Sequence, residues 1–97
     1  MDQDVDDWKD SPQLKEMLDF AMSQIYQDVR NVRKWELDRL ISIQTQVVAG
    51  ENFKIKAEMN NGVMRGTFEM TIFESLESNR KAYGEEKYTL VNFKVDH

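Results

Sequence analysis

An α+β fold, with one long helix laid across an antiparallel sheet, follows from three features of the sequence. Apolar residues recur at three- and four-residue steps from Leu14 onward, later segments alternate apolar with polar residues, and glycine-bearing turns or polar stretches separate those segments. The first period is that of a helix with one buried face, and the second is that of strands with one buried face. Their order, helix first and then strands in sequence, favours an antiparallel sheet with the helix on its concave face.

Residues 1–10 hold five aspartates, with Val5 and Trp8 as the apolar exceptions, and read as an acidic mobile arm ahead of a single domain spanning 11–97. Asp2, Asp4 and Asp6 have the opening spacing of a calcium-binding loop. Position six of that loop is Asp7 rather than glycine and position twelve is Gln13 rather than glutamate, so a calcium site is excluded. The helix begins at Ser11-Pro12, where Ser11 can cap the free amides and Pro12 occupies the first helical position at no cost. Leu14, Met17, Leu18, Ala21, Met22, Ile25, Val29 and Val32 form one stripe, with Tyr26 at its edge. Lys15, Glu16, Asp19, Gln24, Gln27 and Arg30 cover the opposite side. A helix beside a half-buried sheet must bury a face, so the stripe reads as core and its methionines as gap-fillers.

The helical period gives way around 31–34 to a first strand from about Trp35 to Val48. There Leu37, Ile41, Ile43 and Val47 fall on one face and Glu36, Asp38, Ser42, Gln44 and Gln46 on the other. A second strand follows from Phe53 to Met59, in which Phe53, Ile55, Ala57 and Met59 alternate with Lys54, Lys56 and Glu58. Between them the chain must reverse, and Gly50 is the residue there that takes positive φ without a Cβ penalty. Two valines and an alanine precede that glycine, where exposed turns usually draw on Asn, Asp, Ser and Pro. Asn60-Asn61-Gly62 marks the next turn. A third strand sets Met64, Phe68, Met70 and Ile72 against Arg65, Thr67, Glu69 and Thr71. The stretch from Glu77 to Lys87 reads as a polar connection, and a last strand runs from Tyr88 to Val95.

Composition narrows the function. A net charge of -5 argues against nucleic acid or an anionic membrane as a partner, since phosphate binding needs clustered Lys and Arg. No apolar run approaches the ~20 residues that span a bilayer, and no signal-peptide pattern opens the chain. Cysteine is absent, which removes disulfides, thiol catalysis and thiolate metal sites together and favours a cytoplasmic protein, with a mature secreted form left open. The lone histidine is His97, and neither a phosphate-binding loop nor a paired-carboxylate constellation stands out. An enzyme is therefore the least favoured class, and no cofactor or metal is expected.

Gln46-Val47-Val48-Ala49-Gly50 matches the Gln-x-Val-x-Gly signature of the cystatins, the protein inhibitors of papain-like cysteine proteases. Leu18-Asp19-Phe20-Ala21 resembles the Leu-x-Phe-Ala helix stretch of the secreted and plant members. Ile72-Phe73-Glu74-Ser75-Leu76 and the segment from Thr89 to Asp96 resemble the last two strands of the stefin branch. The resemblance covers nearly everything from Leu14 to Asp96. It implies a cystatin-like fold, one long helix across a four- to five-stranded antiparallel sheet. It also implies a reversible inhibitor of proteases of the cathepsin L or B type, with Gln46, Val47, Val48, Ala49 and Gly50 as the first protease-binding hairpin. The family's known exchange of this hairpin between chains makes the expected state a monomer with a domain-swapped dimer open to it.

The chain departs from the family at two of the three elements that form its wedge. No glycine precedes Gly50, so the N-terminal trunk lacks its usual hinge, and no Pro-Trp pair follows in the second hairpin. The loop from Glu77 to Lys87 offers Tyr83 as its one aromatic candidate, although stefins also lack that tryptophan. The Ser-Asn-Asp site by which some secreted members inhibit legumain has no counterpart at Val29-Arg30-Asn31. These departures keep a second reading open, a cystatin-fold interaction module that does not inhibit.

Overall fold

Ser11 and Pro12 start the principal helix as the sequence predicts. The computed structural model describes residues 1–26 and 35–96. A short helix α1 spans Val5–Trp8, and α2 runs Pro12–Ile25 with the Ser11 hydroxyl accepting from the Leu14 amide. Leu14, Met17, Leu18, Ala21 and Met22 are its buried face. α2 ends earlier than its apolar stripe suggests, because Tyr26 leaves helical geometry and stacks on Trp35, ring centroids 5.1 Å apart. Gln27, Val29, Arg30, Val32 and the Val29-Arg30-Asn31 comparison lie outside the described residues, as does His97.

Four strands follow, β1 Glu36–Val48, β2 Gly50–Asn60, β3 Arg65–Glu74 and, after a helix α3 over Glu77–Tyr83, β4 Tyr88–Asp96. They form one antiparallel sheet in the order β1-β2-β3-β4, each strand beside its neighbour in sequence. Phe53, Ile55, Ala57 and Met59 of β2 and Phe68, Met70 and Ile72 of β3 are all buried against α2, so both alternations hold. Trp35, Leu40, Ile43 and Tyr88 complete the core. Met64 falls short of β3 and is exposed in the turn, where the Asn61 side chain accepts from the amides of Val63 and Met64.

β1 departs from simple alternation. Its pairing with β2 slips once between Leu37 and Arg39 and again between Leu40 and Ser42. Each slip adds a residue to β1 and reverses its side-chain parity. The inward positions are therefore Leu37, Leu40 and Ile43, three residues apart, and Leu40 rather than Ile41 enters the core. Val47 keeps the parity of Ile43 but lies beyond the reach of the helix and is exposed.

The segment read as an acidic mobile arm is laid along the free edge of β1. Asp2 bridges to Gln44, the Gln3 amide donates to the Ile43 carbonyl at 2.9 Å, and Thr45 donates to the Met1 carbonyl at 2.8 Å. Trp8 packs edge-on against Phe53, centroids 5.7 Å apart, which anchors α1 to the core. The stretch read as a polar connection likewise contains a helix. α3 has no buried residue and closes on Gly84 at φ +69°, the left-handed conformation that commonly ends helices.

Candidate functional site

Antiparallel order places the β1–β2 turn and the β3–β4 connection at the same end of the sheet. Val48 pairs with Gly50 across the first turn, Glu51 with Glu74 across β2 and β3, and Glu74 with Tyr88 across β3 and β4. The Met1 ammonium donates to the Thr45 carbonyl at 2.7 Å, so the start of the chain reaches that end as well. Three separate segments thus converge there.

The hairpin that carries Gln46 to Gly50 is long and stiffly paired, with continuous register from Ser42 and Lys56 to Val48 and Gly50. At its tip Val47 is 81% exposed and Val48 45%, and Gln46 and Ala49 are exposed beside them. Gly50 is buried, unlike the rest of the motif. Its φ of +132° belongs to glycine, and a Cβ there would stand 2.5 Å from the Glu74 carbonyl oxygen and 2.6 Å from two ring atoms of Phe73. Glycine is needed twice at this position, for the turn and for the close approach of β3. The sequence signals only the first.

Tyr83 lies at the C-terminal end of α3, 78% exposed. Met1 and Leu76 are also exposed apolar residues of this end, at 89% and 46%. Neither was singled out by the sequence, since Leu76 stands alone between a strand and a polar stretch and Met1 is brought in only by backbone pairing. The site therefore presents Val47 and Val48 on one connection, Leu76 and Tyr83 on another, and Met1 alongside.

The base of the α3 connection is fastened by a buried serine. The Ser75 hydroxyl donates to the Glu86 carbonyl at 2.8 Å and its amide to the Lys87 carbonyl at 3.0 Å, closing the loop at its neck. Lys87 reaches the Glu16 carboxylate of α2 at 2.6 Å and lies 5.2 Å from the centre of the Tyr88 ring. The lysine's hydrogen bond, then the Tyr88 hydroxyl, hold the Glu16 carboxyl below its ordinary range. Burial, reinforced by the Glu16 and Glu74 carboxylates, pushes the Tyr88 hydroxyl well above its own, against a smaller opposing pull from Arg80. Desolvation raises Tyr26 in the same way.

Among the described residues no group of three His, Cys, Asp or Glu is placed to hold a metal ion, and no helix is long and apolar enough to cross a membrane. What the converging end offers is exposed apolar surface on well-braced connections.

One helix across a four-stranded antiparallel sheet, with apolar connections gathered at one end, defines a scaffold that presents loops along a single edge. The chain belongs to the cystatin family, whose domain model, described as "Cystatin domain", matches residues 3–96. Neither a curated protein nor a solved structure matches it.

Proposed function

We propose that the protein is a reversible, non-covalent inhibitor of papain-like cysteine proteases, inserting the hairpin Gln46 to Gly50 into the active-site cleft. The observation that carries this reading is the exposure of Val47 and Val48 at the end of strands that outrun the core they serve. Exposed β-branched residues at a turn add nothing to the fold, and a groove that takes them in gives them a use. Membership of the cystatin family, whose members are generally protease inhibitors, supports the same conclusion.

The chemistry needs no catalytic group on the inhibitor. Val48 and Ala49 displace water from the cleft beside the protease thiolate, while no peptide bond is set where that thiolate could attack. Burying each small apolar side chain contributes about 1.5 to 3 kcal/mol at best. Nanomolar binding requires about 12 kcal/mol. The remainder falls to Tyr83 and Leu76 on the α3 connection, to Met1 beside the tip and to backbone hydrogen bonds. Proteases of the cathepsin L or B type are the proposed partners, and a cytoplasmic setting suits a chain without cysteine.

The second reading, an interaction module without inhibitory power, draws on α3. Where secreted and plant members present Pro-Trp, this connection carries Glu77, Arg80, Lys81, Glu85 and Glu86. Titration of papain and of a cathepsin L-type protease with the monomer separates the two readings. Loss of peptide hydrolysis at submicromolar protein is the expected result. Full protease activity at tens of micromolar folded protein would establish the non-inhibitory module instead.

A further inference from the structure

We propose that Phe73 positions the protease-binding hairpin, its ring serving as the platform on which the backbone of Gly50 rests. The function assigned to that role depends on the reading of Gln46 to Gly50 as the protease-binding element.

Phe73 is misplaced by every rule of the sheet's patterning. Its β3 neighbours Met70 and Ile72 alternate with Glu69 and Thr71, and Phe73 continues the outward row, opposite Asn52 of β2. Its neighbours on that face are Asn52 across on β2, Thr89 across on β4 and Thr71 two residues before it, polar residues among which an aromatic ring gains nothing from the core. Yet Phe73 is half-buried. Its ring meets the turn: two of its atoms lie 2.6 Å from where a Cβ on Gly50 would stand. Gly50 and Asn52 share a face of β2, so the ring reaches diagonally from its cross-strand partner to the first residue of the strand.

This arrangement addresses a weakness of the tip. Gly50 holds φ +132° and is followed directly by strand, so it is both the most permissive backbone position of the hairpin and its hinge. The Phe73 ring and the Glu74 carbonyl crowd the same side of Gly50 and so restrict its orientation. Val47 and Val48 are then presented in a fixed direction, and the ordering cost of binding is met in advance. An aliphatic side chain of similar volume would fill the space without offering a face.

Proton NMR of the monomer, together with papain inhibition, tests this. In the wild-type protein the α-protons of Gly50 should resonate well upfield of their usual position, shielded by the ring. Phe73→Leu should abolish that shift, increase the backbone motion of Val48 to Gly50, and raise the inhibition constant by about tenfold, mainly through faster dissociation. Phe73→Tyr should restore all three, which a purely volumetric role does not require; Phe73→Met serves as the second aliphatic variant. A wild-type Gly50 without the upfield shift overturns the contact. Unchanged inhibition in a folded Phe73→Leu protein that has lost the shift overturns the positioning role. If the wild type itself does not inhibit, the function assigned above fails, and the tip's backbone motion still decides the platform. Equal motion in wild type and Phe73→Leu would overturn it.

Discussion

At Val48 the side chain is nearly half exposed, touches no essential core residue and stands one residue from the apex of the turn. Val48→Asp should therefore leave the urea midpoint almost unchanged, within about 0.5 kcal/mol, as surface substitutions generally do. On the proposed function the same change would carry an unpaired carboxylate into an apolar cleft, and the inhibition constant should rise by about 100-fold or more. Retained inhibition by the folded variant would refute the assigned insertion. Single residues were unequally legible in the sequence. Val47 and Val48 announced themselves because apolar residues at a turn run against turn chemistry. Gly50 was legible as a turn residue but not as a close-approach residue, since the carbonyl and ring that crowd it belong to β3, more than twenty positions away. Leu40 was hidden by the two slips in β1, which turn a period of two into steps of three.

Among the elements, β2 and β3 were the most legible, because both are central strands with one face on α2 and no slip between them. α3 was not, since Leu76, Ala82 and Tyr83 make no stripe and nothing in the helix is buried. Its place is set instead by its anchors, Ser75 and Lys87 at the neck and Glu16 across on α2. Glu16 and Tyr88, both beside Lys87, give this part of the molecule a dependence on pH at both extremes. Tyr88 has a folded pKa raised above the ordinary 10, chiefly by burial, so its stabilising contribution is complete below pH 10 and lost as the pH climbs beyond it. Glu16 is held below its ordinary 4.5 by Lys87, so its contribution is complete above that value and lost as the pH falls. Urea unfolding at about pH 8 and about pH 11 should show the wild type losing stability at the higher pH, with a smaller loss in Tyr88→Phe. An identical loss in the two proteins would mean that Tyr88 is not the group responsible.

For the whole molecule, the hairpin that carries the proposed site is also a connection through which two chains could exchange halves. β1 and β2 are paired in continuous register beyond Ser42, so β1 of one chain could pair with β2 of another without changing any contact except at the tip. There Gly50 would relax from φ +132° to an extended strand, and Val47 and Val48, whose branched side chains favour that form, would continue it. Such a dimer would match the monomer closely in stability while losing the turn that presents Val48 and Ala49. Its formation requires β1 to leave β2 and α2 to leave β3 and β4, so exchange should proceed at rates close to global unfolding. Concentrated protein held near its unfolding midpoint and then cooled should yield a dimer separable by size-exclusion chromatography. That fraction should inhibit papain far less per chain than the monomer, and should recover inhibition only after unfolding and refolding at high dilution. Full inhibition by the purified dimer would show either that the hairpin is not the exchanged element or that Gln46 to Gly50 is not the surface that enters the protease.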